Sequence, residues 1–176
     1  MSSSTHNRPG KPIGRGMLIA GFVLALIGLT MFFNGILDRQ VNPNQRPQSR
    51  IDGSGIREVV LQRNRQGHYV SNGQINGVAV QFLLDTGATD VALPLKIAQQ
   101  ANLVPGLEGQ AFTANGTTLV YDAHIDKLQL GSITLHDIDA SIVPNMRGET
   151  ILLGMSALQQ IEFTQRGSTL TLRQYP

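Results

Sequence analysis

The chain has no cysteine and no tryptophan among its 176 residues. Without thiols there are no disulfides, no thiolate zinc sites and no cysteine nucleophile. Aromatic residues make up only 5% and charged residues 15%. No basic stretch is interleaved with aromatics, so a nucleic-acid surface has little support. No Lys-Ser or Lys-Thr follows a glycine-rich stretch, which excludes a phosphate-cradling loop of that type. Ser156 lacks the Gly-x-Ser-x-Gly frame of a serine nucleophile. His124 with Asp126, and His136 with Asp137, are too sparse for a metal centre. Asp122, Asp126, Asp137 and Asp139 lie among polar strand and turn residues and read as solvated surface. No metal or cofactor is expected.

Glycine is abundant, at 19 residues, which favours turns and short strands over long helices. Charge is unevenly divided. Residues 1–50 carry six Lys or Arg against the single acid Asp38, whereas residues 51–176 carry eight against eleven Asp or Glu, a net of −3. The basic N-terminal part contains a long apolar run. Residues 17–37 are 21 in number, close to the ~20 that cross a bilayer. A cleaved signal would be followed by a small-x-small site, which Met31-Phe32-Phe33-Asn34-Gly35-Ile36 fits poorly. An uncleaved anchor is therefore expected. Arg8, Lys11 and Arg15 precede the run, and Asp38 and Arg39 after it cancel. The positive-inside rule then makes residues 1–16 a cytoplasmic tail and puts the remainder outside. This describes a single-pass protein of the inner (plasma) membrane with a periplasmic or extracytoplasmic body. Residues 38–56, with Pro43, Pro47, Gly53 and Gly55, read as a flexible linker. The folded domain is expected over residues 57–176.

That domain carries a β signal. Asn76-Gly77 separates two apolar runs, a strong hairpin pattern. Asn115-Gly116 and Gly131-Ser132 mark further hairpins, and Gln165-Arg166-Gly167 turns a last one. Short helices are expected from Pro94 to about Ala101 and from Met155 to about Ile161. The pattern is all-β, a closed barrel or sandwich with one or two short helices behind a single N-terminal membrane helix. A faint repeat runs through it. Phe82-Leu83-Leu84-Asp85-Thr86-Gly87 before one helix is echoed by Ile151-Leu152-Leu153-Gly154 before the other.

These two motifs carry a resemblance. Asp85-Thr86-Gly87-Ala88 in its apolar frame, with the apolar-apolar-Gly motif about 67 residues later and an Asn-Gly hairpin between, resembles the retropepsin-like aspartic proteases. Most similar are the membrane-anchored, single-domain bacterial members of that clan. The resemblance spans about residues 69–172. It implies an aspartic endopeptidase in which Asp85 is the catalytic acid. Two neighbouring carboxylates cannot both ionise cheaply, so they share one proton. The ionised member takes a proton from water and the protonated one donates to the scissile carbonyl. The handful of residues around Asp85 then take supporting roles. Thr86, Gly87 and Ala88 shape the active-site loop, while Leu153 and Gly154 pack beneath it. Thr89 and Asp90, with the flap residues Ala114, Asn115 and Gly116, are expected to contact substrate.

The sequence has no second Asp-Thr-Gly or Asp-Ser-Gly. The resemblance therefore implies a homodimer with one Asp85 from each subunit. Expected partners are a peptide or protein substrate, a second copy of the chain and a membrane, with no nucleic acid. The alternative is a catalytically silent retropepsin-fold binding or dimerisation module, since one fold can serve interaction alone.

Overall fold

The computed structural model describes residues 11–113 and 116–176. It divides into two compact units, one ending at Asp38 and the other spanning Arg39–Pro176.

Helix α1 (Lys11–Val41) makes up the described part of the first unit and runs on into the start of the second. From Gly14 to Val41 it is long and apolar enough to cross a membrane by length and composition. The large apolar side chains of residues 17–37 are exposed. Thr30, the only polar residue between Met17 and Phe33, donates its hydroxyl to the Leu26 carbonyl at 2.8 Å, so it presents no unpaired donor to an apolar surrounding.

The second unit is built from strands. Gln48–Ile51 (β1), Arg57–Gln62 (β2), Glu162–Arg166 (β10) and Thr169–Gln174 (β11) form an antiparallel sheet in the order β1-β2-β11-β10. The other sheet has seven strands: Val70–Ile75 (β3), Val78–Leu84 (β4), Val91–Pro94 (β5), Glu108–Thr113 (β6), Gly116–Leu130 (β7), Ile133–Val143 (β8) and Thr150–Leu153 (β9). Their order is β3-β4-β9-β5-β8-β7-β6, and two further pairs between β3 and β7 curl the sheet back on itself. The result is a sandwich-like β fold with a short barrel-like seam. Inward positions follow the period of two: Val80 and Phe82 on β4, Ile151 and Leu153 on β9. They share one apolar core with Val59, Leu61, Leu170 and Leu172 of the smaller sheet.

Turn chemistry sets the pairings. Asn76 and Gly77, both with positive φ (48° and 84°), close the β3–β4 hairpin as a primed turn matched to strand twist. The helices are shorter than the sequence suggests. The first is Leu95–Gln100 (α2), with Pro94 at its N-cap, and the second is Met155–Leu158 (α3).

The region expected to be a free linker, residues 38–56, is instead largely part of the fold. Its first residues continue α1 to Val41, and Asn42 and Asn44 are buried. The Asn44 amide donates to the carbonyls of Gln62 (2.9 Å) and Val70 (2.7 Å) and accepts the Gln62 N–H (2.7 Å). Asn42 donates to Asn72 at 2.7 Å and accepts the Asn44 N–H. Strand β1 then pairs with β2 from Gln48↔Val60 to Ile51↔Arg57. The glycines that suggested flexibility are hairpin turn chemistry: Asp52 accepts N–H groups from Ser54 and Ile56, and Gly55 has φ 85°.

Candidate active site

Strands β4 and β9 run side by side and parallel. Phe82 faces Ile151, Leu83 faces Leu152 and Leu84 faces Leu153. The two halves of the faint sequence repeat are thus neighbours in space. The ladder continues one step past the strand end, where the Asp85 N–H donates to the Leu153 carbonyl at 3.1 Å. Asp85 therefore leaves the end of a strand whose inward residues are wholly buried, and it has little backbone freedom.

A tight turn follows. The Ala88 N–H donates to the Asp85 carbonyl at 3.2 Å, and the Gly87 N–H donates to Asp85 Oδ1 at 2.9 Å. Gly87 does not adopt positive φ. Its merit is steric: a Cβ there would stand 3.2 Å from Asp85 Oδ1. Thr86 is exposed, and its hydroxyl has no partner among the described residues. Asp85 is half-buried, held by one N–H and open on its other side.

Helix α3 secures the far end of the loop. The N–H groups of Met155 and Ser156 donate to the carbonyls of Ala88 (2.9 Å) and Thr89 (2.8 Å). First-turn donors that no helix can satisfy internally are used here to pin the loop. A Cβ on Gly154 would lie 2.1 Å from the Asp90 carbonyl oxygen and 2.8 Å from that of Ala88. Only glycine lets the two loops approach this closely. Ser156 is a structural tie: its hydroxyl donates to the Asp139 carbonyl at 2.7 Å and accepts the Val91 N–H at 3.1 Å. The Asp90 carboxylate accepts from the Ser141 hydroxyl at 3.4 Å.

The residues expected at the loop thus converge. Asp85, Thr86, Gly87 and Ala88 form the turn, and Leu153 and Gly154 lie against it. The carbonyls of Ala88 and Thr89 are engaged within the chain, whereas the Thr89 side chain is exposed. Of the flap residues, Ala114 and Asn115 fall outside the described residues. Gly116 begins β7 with φ 106° and faces Thr113 across the β6–β7 hairpin. Phe112 on that hairpin is 88% exposed.

Sequence reasoning missed a cavity of about 290 Å³ beside the acid. Asp85 and Thr86 line it with Tyr69, Leu158, Phe163 and Leu170. The Tyr69 hydroxyl is buried there without a hydrogen-bond partner. Tyr69 reaches this place because its carbonyl accepts the Leu84 N–H at 3.0 Å, one residue before Asp85. A single aromatic just before β3 was the only signal available.

A carboxylate with one open face, on a loop braced by a parallel strand and a helix, is built to hold a water or a polarised carbonyl. The comparisons with known proteins bear on the family and the fold. The profile of gag-polyprotein putative aspartyl proteases matches residues 71–160, just over half of the chain. The chain belongs to this family. Its fold is that of the retropepsin-like aspartic proteases. The crystal structure of a retropepsin-like aspartic protease from Rickettsia conorii covers 73% of this chain and 96% of its own, with 26% identity and a TM-score of 0.58. An uncharacterized protein from the cobV 5′ region of Sinorhizobium sp is 32% identical over 126 residues, 69% of this chain and 54% of that protein. Protein RP867 of Rickettsia prowazekii is 38% identical over 45 residues, 26% of this chain and 20% of its own length. The chain thus spans about half, or less, of these two curated relatives.

Proposed function

We propose that this protein is a membrane-anchored aspartic endopeptidase that works as a homodimer, with Asp85 of each copy flanking one water. The observation that carries this reading is the asymmetry of the two paired loops. The loop after β4 presents a carboxylate, and its neighbour after β9 presents Gly154, where no side chain fits. The second acid that peptide hydrolysis needs then comes from another copy.

In the pair, the two carboxylates share one proton because like charges so close cannot both ionise cheaply. The ionised Asp85 takes a proton from the water as it attacks, and the protonated one donates to the carbonyl oxygen. Thr86, exposed and unpartnered beside Asp85, reaches across to the other copy's loop. The β6–β7 hairpin closes over an extended peptide as a flap, with Thr89 and Asp90 on the opposite rim. Helix α1 anchors the chain in the membrane, with residues 1–16 in the cytoplasm and the β unit outside it. Confinement there raises the effective concentration of weakly associating copies.

The test uses the full chain in detergent. Cleavage of an unfolded protein substrate falls by ~10³-fold in Asp85→Asn if this carboxylate is the acid-base group. A statine-type transition-state mimic shifts the chain from monomer to dimer in sedimentation, and Asp85→Asn blunts that shift. Undiminished cleavage by the variant overturns the catalytic assignment. A chain that stays monomeric with the mimic bound overturns the shared site.

A further inference from the structure

Away from the Asp85 loop, a second cavity of about 540 Å³ opens where the two sheets meet. Gln174 of β11 spans the junction: its side-chain oxygen accepts the Thr134 N–H at 3.1 Å, and its amide nitrogen donates to the Thr134 carbonyl. Three cationic or ionisable side chains converge on this cleft. Arg57 of β2 lies opposite Gln174 in the register, and Lys127 of β7 lies directly opposite His136 of β8. No Asp or Glu side chain is among the lining residues.

That convergence runs against the charge of its surroundings. Residues 51–176 carry more acids than bases. Two other cations of the smaller sheet, Arg50 and Arg173, are paired with Glu58. Arg57 and Lys127 make no ion pair among the described residues. Placing Lys127 across from a histidine costs stability whenever the imidazole is charged. His136 is also oriented. Its Nδ1 lies 3.1 Å from the Asp126 carbonyl, an acceptor, so Nδ1 carries the hydrogen, and Nε2 donates to an anion only in the imidazolium form. A planar guanidinium and an ammonium around one cleft of small-molecule size form a donor set suited to phosphate oxygens. The exposed Tyr175 ring, whose hydroxyl is held by Glu162 at 2.7 Å, gives the cleft an apolar wall.

We infer that this cleft binds a phosphate-bearing ligand, with Arg57 and Lys127 donating to its phosphoryl oxygens and His136 beside them. The site shares no residue with the Asp85 loop, so it stands or falls independently of proteolysis. Phosphoryl groups reach such a site either in a soluble anion or in a lipid headgroup.

The experiment is calorimetric titration of the full chain in a non-ionic detergent with two probes, inorganic pyrophosphate and the short-chain lipid dihexanoyl phosphatidic acid. Binding of pyrophosphate assigns a soluble ligand, and binding of the lipid alone assigns a headgroup. In either arm the double variant Arg57→Gln/Lys127→Gln weakens binding about tenfold or more, as loss of two charge-assisted contacts requires. His136→Gln, a milder change, weakens it less, and Asp85→Asn leaves it unaltered. Thermal unfolding of each variant without probe separates lost binding from lost folding. If neither probe binds in the millimolar range, or if variants that unfold like the parent chain bind as the parent does, the proposal is overturned.

Discussion

The loops after β4 and β9 begin alike and end differently. Each follows three apolar residues on paired parallel strands, and each leads towards a short helix. The first turns outward and leaves Asp85 half-open with one donor. The second drives inward, and its Gly154 backbone lies against the carbonyls of Ala88 and Asp90. One copy of the motif presents a carboxylate, and the other packs against its loop as a clamp. The difference teaches that two like segments on paired strands can divide the work: one projects a side chain, and the other, lacking one, lets the loops close together.

Substituting the same residue in both loops tests this division. Gly154→Ala should have the largest effect on folding. Its Cβ would meet backbone, 2.1 Å from the Asp90 carbonyl oxygen, and backbone there cannot yield cheaply. A loss of about 3 kcal/mol is expected in denaturant unfolding, with cleavage lost as well. Ser156→Ala comes next. It leaves the buried Val91 N–H without a partner, at about 2 kcal/mol. Gly87→Ala should move stability by only ~1 kcal/mol, because its Cβ would meet a side-chain oxygen at 3.2 Å that can shift. Its effect on cleavage should be the greater one, since that oxygen belongs to Asp85. If Gly87→Ala proves as destabilising as Gly154→Ala, the division into site and clamp is wrong.

The smallest effect lies outside both loops and serves as a control. The Arg173 guanidinium, and then that of Arg50, hold the Glu58 carboxyl below its ordinary value of 4.5. A carboxyl lowered in the folded state stabilises above the unfolded pKa and loses that contribution as pH falls through the folded one. Melting temperature should therefore decline below about pH 4.5, and Glu58→Gln should flatten that part of the profile. Both loops should be indifferent to this change, which a cleavage assay of the variant at neutral pH would check.

The Asp85 loop was legible because its signals are local. Apolar strand residues, an acid, a hydroxyl and a glycine sit within eight positions, and the echo at residues 151–154 is contiguous too. The Asn76-Gly77 turn was legible for the same reason. Residues 42–51 were not. Asn42 and Asn44 beside Pro43 and Pro47 read as solvated, and only pairing with distant residues such as Gln62, Val70 and Asn72 makes them core. Tyr69 shows the same limit. Its place beside Asp85 depends on a strand register that composition does not encode. The cationic cleft likewise gathers residues of β2 and β11 with those of the β7–β8 hairpin, segments far apart along the chain.

The burial of Asn44 bears on where this chain can be cut. A nick near Arg50 would fall in β1, an exposed edge strand whose backbone pairs with β2 and whose Arg50 is tied to Glu58. A fragment starting at residue 57 would leave the Gln62 N–H without its Asn44 acceptor and would bare the β2 edge to other chains. If α1 is a membrane anchor, shedding of an intact β unit requires scission before Asn42, within the end of the helix, and release becomes a matter of unwinding rather than of exposure.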